Sequence, residues 1–176
     1  VTNHHALILG GVRSGKSRFA EQRALESGLA VRYLATATAG DAAMAARIAA
    51  HQARRPATWQ VIEEPIHLAA ALTAATSPQH CVLVECLTLW LTNLLCAGDE
   101  TQLQRELTAL HDRLPHLPGQ VIFVTNETNL GIIPADALSR RYGDLAGELH
   151  QALAAHCGQV WLCVAGLPVI LKGNRG

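Results

Sequence analysis

The run Gly10-Gly11-Val12-Arg13-Ser14-Gly15-Lys16-Ser17 fits the pattern Gly-x4-Gly-Lys-Ser. Each residue type there has a chemical reason. Gly10 and Gly15 let the backbone turn its N–H groups inward against phosphate oxygens, in conformations a side chain would obstruct. Lys16 can reach β- and γ-phosphates, and the Ser17 hydroxyl can ligate Mg²⁺. A helix starting here aims its partly positive N-terminus at the same anion. An ordinary glycine-rich turn would need no particular flanks. Here Ala6-Leu7-Ile8-Leu9 reads as a short buried strand and Ser17 to Glu26 as a helix, the context a nucleotide loop requires.

Further chemistry is sought at the ends of strands, where open α/β sheets bind ligands. Four strand ends are polar: Thr36 and Thr38, Glu63 and Glu64, Glu85, and Thr125-Asn126-Glu127. Glu85 follows Val82-Leu83-Val84, where nucleotide hydrolases often place an Mg²⁺-orienting aspartate. A glutamate there reaches the metal through water or contacts the nucleotide. On a helix from about Asp41 to Arg54, Met44 and Ile48 supply an apolar face. Arg47, His51, Arg54 and Arg55 share a neighbouring face at i, i+4, i+7 and i+8. Like-charge repulsion favours the neutral form of a histidine among arginines. Neutral imidazole is a nucleophile, and arginines hold the phosphate it attacks. A solvated basic face with a passenger histidine is the plainer alternative. Arg140-Arg141 with Asp144 reads as a surface ion-pair cluster or a phosphate contact. His111, His116, His150 and His156 lack metal spacing and receive no role, and His4-His5 is expected in a mobile terminus.

The elements that must position these groups alternate along the chain. Strands are expected at Val31–Ala35, Trp59–Ile62, Cys81–Val84, Val121–Val124 and Val160–Val164. Helices are expected near Ile66–Ala75, Leu87–Cys96, Thr101–Leu114 and Asp136–Ala155. The segment from Thr101 is amphipathic through Leu103, Leu107, Leu110 and Leu114. The helix with Leu87, Trp90, Leu91, Leu94 and Leu95 lacks a polar face and belongs either to the core or to an oligomer contact. The repeat of strand and helix predicts one α/β domain over residues 1–176, with a mostly parallel sheet and helices on both faces.

Composition narrows the partners. Formal net charge is zero and no Lys/Arg run exceeds two residues, which argues against a nucleic-acid or anionic-membrane surface. Lys16 and Lys172 are the two lysines among fourteen basic residues. A chain that otherwise prefers arginine keeps a compact point charge in the phosphate loop. Cys81, Cys86, Cys96, Cys157 and Cys163 form no CxxC pair and read mostly as reduced core residues of a cytoplasmic protein. The apolar stretch around Leu87 to Ala97, broken by Thr88, Thr92 and Asn93, is unsuited to spanning a bilayer.

Six segments together resemble the bifunctional adenosylcobinamide kinase / adenosylcobinamide-phosphate guanylyltransferase family of cobalamin biosynthesis. They are GGVRSGKSRFAE, YLATATAGDAAMAARIAAHQARRPATW, VIEEP, VLVECLTLWLTNLL, VTNETNLGIIP and RRYGDLAGELHQALA, and they span nearly the whole chain. The resemblance implies a RecA-like P-loop fold and two reactions. A nucleoside triphosphate, GTP or ATP, phosphorylates the aminopropanol hydroxyl of adenosylcobinamide. GTP then gives GMP to the new phosphate, through a guanylylated histidine at the position of His51. It also implies that Gly10 to Ser17 bind the triphosphate with Mg²⁺, and that Ala35, Thr36 and Ala37 line the nucleotide pocket. Gln52, Ala53, Arg54 and Arg55 are implied as contacts beside His51, with Glu63 and Glu85 completing them. A homo-oligomer, a trimer, is implied as well. Two positions depart from the pattern: His150, where Gly-x-x-Asn-Gln is common, and Asn129, where glycine is usual. A P-loop kinase without nucleotidyl transfer and a nucleotide-gated regulatory protein are the competing readings; the first would leave His51 unmodified by GTP, and the second has no use for the arginine–histidine face.

Overall fold

Alternation along the strands divides two apolar faces between two layers of helix. In a computed structural model of the chain, residues 4–40 and 42–174 are described, without the side chains at 43, 44, 47, 51 and 54. The element order is β1 (Ala6–Gly10), α1 (Lys16–Glu26), β2 (Ala30–Ala35), α2 (Ala42–Arg54), β3 (Gln60–Glu63), α3 (Leu68–Ala75) and β4 (His80–Glu85). It continues with α4 (Leu87–Ala97), α5 (Glu100–Arg113), β5 (Gln120–Asn126), α6 (Ala137–His156), β6 (Gln159–Val164) and β7 (Leu167–Lys172). The seven strands form one sheet in the order β3-β2-β4-β5-β1-β6-β7. All pair in parallel except β6 with β7.

Leu7, Leu9, Val82, Val84, Val121 and Phe123 point to one face and meet Leu72, Trp90, Leu94, Leu110 and Leu153 from α3 to α6. Their sequence neighbours Ala6, Ile8, Cys81, Leu83, Ile122 and Val124 point to the other, with Ala20 and Ala24 of α1. A side-chain period of two, buried on both sides, explains why these strands read as unbroken apolar runs. Each fully buried large side chain contributes about 1.5–3 kcal/mol. The mostly parallel sheet with helices on both faces is as expected from the sequence.

Helix boundaries follow local chemistry. Asp99 caps α5 by accepting the Gln102 N–H, and Asp136 caps α6 by accepting that of Ser139. Gly98 ends α4 in the left-handed region. Leu87, Trp90, Leu91 and Leu94 are buried, so α4 is a core helix.

Two expectations need correction. The sequence reading stopped at β6, whereas Leu167–Lys172 returns antiparallel beside it as the edge strand β7. His5 was expected in a mobile terminus, yet it is buried and its Nδ1 accepts the Val121 N–H at 3.1 Å. That bond supplies a β5 backbone donor with a partner just before β1 begins, so the ring completes the pairing at the amino end of these two interior strands.

Candidate functional site

The phosphate loop joins β1 to α1 at the carboxyl edge of the sheet. Its two outer glycines are required for different reasons. Gly15 caps α1 with φ at +90°, a conformation disfavoured for a side chain. Gly10 is required by crowding, since a Cβ there would lie 2.4 Å from Ser14 Oγ and 2.8 Å from the Cys163 carbonyl. Arg13, a non-glycine residue, also takes positive φ at 56°.

The tip of the β6–β7 hairpin braces this loop. Ala165 and Gly166 both have positive φ, and the Gly166 N–H donates to the Ser14 carbonyl at 2.9 Å. Gly166 and Pro168 thereby enter the wall of a cavity of about 760 Å³. Sequence reasoning missed them. Two residues between apolar runs were the available hairpin signal, weakened by alanine at the first turn position and proline in the second strand.

That cavity is also lined by Val12 to Ser17 of the loop, by Ala35 at the end of β2 and Ala37 after it, by Glu63 of β3 and by Glu85 of β4. From α2 it is lined by Ile48, Ala50 and Gln52, and just beyond that helix by Arg55. The structure therefore gathers most of the expected positions at one place. Thr36 is an exception: it is fully buried, and its hydroxyl donates to the Cys86 carbonyl while accepting the Cys86 N–H. Its polarity pins β2 to the start of α4, so it is a structural residue beside the cavity. Ala53 and the backbone of Gly10 and Gly11 lie outside the lining as well. Glu64 caps the following turn by accepting the N–H groups of Ile66 and His67. The side chains of His51, Arg47 and Arg54 are outside the described residues; position 51 itself falls within α2.

The polar groups in the cavity suit a nucleotide. Lys16 is buried, and its Nζ donates to the Gly11 carbonyl at 3.2 Å. Ser17 Oγ donates to Glu85 Oε1 at 2.8 Å. These adjacent hard oxygens, at the carboxyl end of a strand next to a phosphate loop, fit Mg²⁺ shared with phosphate oxygens and water. Ser14 Oγ and Arg55 Nε are buried without a hydrogen-bond partner among the described residues. Such groups cost free energy unless a ligand satisfies them. The Arg55 guanidinium lies 3.6 Å over the centre of the Tyr33 ring, a cation–π contact of about 0.5–2 kcal/mol. Burial holds the Tyr33 phenol far above its usual range, with the Glu85 carboxylate pushing the same way. Tyr33 is therefore a neutral platform for the arginine. Sequence reasoning missed it because its partner is twenty-two residues away in the chain.

Away from the cavity, Arg141 pairs with Glu100, and Arg140 donates to the carbonyls of Pro134 and Ala135. Arg140 is thus occupied by the loop before its own helix, and Arg141 by the first residue of α5. The two departures from the family pattern meet at one residue, Glu127. Its Oε1 accepts the Asn129 N–H at 2.6 Å, and its Oε2 lies 3.7 Å from His150 Nδ1.

Comparison with known proteins fits this geometry. Among solved structures, a protein of Pyrococcus horikoshii OT3 aligns with TM-score 0.57 at 10% identity, covering 98% of this chain and 87% of that one. The RadB recombinase aligns with TM-score 0.50 at 15% identity, covering 90% and 73%. Both likenesses concern the fold alone, and that to RadB agrees with the RecA-like fold expected from the sequence. The bifunctional adenosylcobalamin biosynthesis protein CobP of Pseudomonas aeruginosa is 59% identical over 168 residues, 96% of this chain and 97% of that protein. CobU proteins of Escherichia coli and Salmonella typhimurium are each 39% identical, over 94% of this chain and 98% of theirs. Residues 6–171 match the family described as cobinamide kinase / cobinamide phosphate guanyltransferase. With its phosphate loop, its sheet order and this near full-length match, the chain belongs to that family.

Proposed function

We propose that this protein phosphorylates adenosylcobinamide on its aminopropanol hydroxyl and then transfers GMP from GTP to the new phosphate, through a guanylylated His51. The product is adenosylcobinamide-GDP. One observation carries the reading: the phosphate loop and α2 line the same cavity. Ile48, three residues before position 51 in α2, and Arg55, just beyond the helix, are both lining residues, and helical spacing makes Ile48 a neighbour of position 51 on one face. In this reading, the nucleotide held by the loop and the nucleophile carried by α2 meet in one chamber.

The two reactions ask different things of the residues. In phosphoryl transfer, Lys16 holds charge on the terminal phosphates. Ser17 and Glu85 would hold Mg²⁺, which when bound neutralises charge on the β- and γ-oxygens. In guanylyl transfer, the His51 imidazole forms a bond to the α-phosphorus and pyrophosphate leaves. The corrinoid phosphate then displaces the histidine, carrying GMP away. Arg55, lying on Tyr33, supplies a fixed positive charge for the phosphate under attack.

Assaying the two steps separately tests this. Lys16→Ala is expected to cripple both, whereas His51→Ala abolishes guanylyl transfer and retains phosphorylation. Equal loss of both activities in a folded His51→Ala protein overturns the division of roles. The same reading extends to a cytoplasmic homotrimer, and sedimentation of the native protein at three chain masses is the expected result.

A further inference from the structure

At the carboxyl end of β5, beside the phosphate loop, a chain of hydrogen bonds ends at a histidine that faces a carboxylate. The Asn126 N–H donates to Thr88 Oγ1 at 2.8 Å, and the Thr88 and Thr125 hydroxyl oxygens lie 3.4 Å apart. Thr125 Oγ1 is 3.0 Å from His150 Nε2, and His150 Nδ1 is 3.7 Å from Glu127 Oε2. Thr125 and His150 are both buried.

One group fixes the ring's tautomer. A carboxylate can only accept, so the ring proton sits on Nδ1, facing Glu127 Oε2, and Nε2 accepts from the Thr125 hydroxyl, an assignment made from the network. Burial lowers the His150 pKa against the raising effect of Glu127, so the ring is neutral near pH 7 and presents a dipole. Asn129 donates to the other oxygen, and the Asn129 side chain ties its loop to α6 through the Gly143 carbonyl at 2.9 Å. The carboxylate is oriented from two sides and still keeps 17% of its side chain exposed.

Its place relative to the phosphate loop gives this arrangement a use. The Glu127 N–H donates to the Gly10 carbonyl at 3.1 Å, and the next loop carbonyl, that of Gly11, holds the Lys16 ammonium. Lys16 marks the end of the loop where terminal phosphates go. Asn126, the residue before Glu127, lines the nucleotide cavity. A carboxylate repels phosphate, so one held here serves the acceptor better than the nucleotide. Glu85 already supplies the carboxylate beside Ser17.

We propose that Glu127 is the general base of the phosphoryl-transfer step, that His150 is the positioning residue behind it, and that the acceptor alcohol docks at the end of β5. This rests on the kinase reading above. The acceptor oxygen forms a bond to the γ-phosphorus while the bond from that phosphorus to the β–γ bridging oxygen breaks. The nucleoside diphosphate leaves, and the hydroxyl proton passes to Glu127 and from there to water.

The test uses the full chain, adenosylcobinamide and GTP labelled at the γ-phosphate. Glu127→Gln is expected to lower kcat by about 10²–10⁴-fold, the usual weight of a general base, with the KM for GTP unchanged within twofold (~) and Glu127→Asp recovering part of the rate. His150→Ala is expected to lower kcat roughly tenfold, the scale of one lost polar contact to a charge. His150→Asn, which restores an N–H toward the carboxylate, recovers it. A merely structural role would instead raise KM and lower the melting temperature together, without rescue by asparagine. A folded Glu127→Gln protein within about threefold of the wild-type kcat overturns the inference alone. Wild-type protein that makes no phosphorylated corrinoid overturns the kinase reading, and this inference with it.

Discussion

Alanine at each of the three glycines in the phosphate loop gives a graded prediction, because each glycine meets a different constraint. A Cβ at Gly11 would find nothing within 4 Å. Gly11→Ala should therefore change apo stability by no more than ~0.5 kcal/mol. A Cβ at Gly15 would lie 3.0 Å from the Gly166 Cα, on a backbone with φ of +90°. The left-handed conformation alone costs an L-residue about 1–2 kcal/mol, and the contact with the hairpin tip adds to it. About 2 kcal/mol in a chain of this size corresponds to a fall in Tm of roughly 4–8 °C. At Gly10 the serine hydroxyl can rotate away, but the Cys163 carbonyl at 2.8 Å belongs to the paired strand β6. Overpacking of that kind costs about 1–3 kcal/mol. Urea unfolding without nucleotide reads these scaffold costs directly. GTP is then added, and its stabilisation, RT ln(1 + [L]/Kd), reports binding separately. Gly11→Ala losing as much apo stability as Gly10→Ala, or Gly15→Ala unfolding like wild type, would refute the reasoning.

Two further outcomes follow from burial. Desolvation lowers the His5 pKa below its ordinary value of 6.5, outweighing the raising effect of its Leu117 backbone bond. The neutral ring accepts from Val121, so its contribution is fully present above 6.5 and is lost as pH falls through the lower folded value. The urea midpoint of wild type should decline below that pH, and His5→Gln should flatten the decline; identical pH profiles would remove His5 from the account. Of the five thiols, Cys96 is exposed and the other four are buried. Burial pushes Cys81 and Cys86 up to about 11 and Cys157 up to about 12. A thiol reagent at neutral pH should label one cysteine rapidly in native protein and all five in denaturant; rapid native labelling of several would contradict the packing.

The sequence carried the parts of the fold whose cause is local. β1, β2, β4, β5 and β6 announce themselves as apolar runs because both faces of those strands are covered. The phosphate loop is legible because its residues act within eight positions of one another. What escaped depends on distant partners. β7 is an edge strand containing Pro168, paired on one side, and it has no period to betray it. Thr36 looked like a ligand at a strand end, but its hydroxyl is consumed by the backbone of Cys86, fifty residues on. His150 seemed idle because Thr125 and Glu127, which give it a direction, lie more than twenty residues earlier. A side chain's polarity is visible in sequence; the group that satisfies it becomes visible only in the fold.

The most direct test of the central claim is covalent. Native protein is incubated with Mg²⁺ and GTP labelled at the α-phosphate, then denatured and examined for retained label, with His51→Ala alongside. The account expects acid-labile, base-stable label on wild type, as a phosphoramidate requires, and none on His51→Ala. Folded wild-type protein that binds GTP and retains no label, or label that persists in His51→Ala, would contradict guanylyl transfer through this histidine.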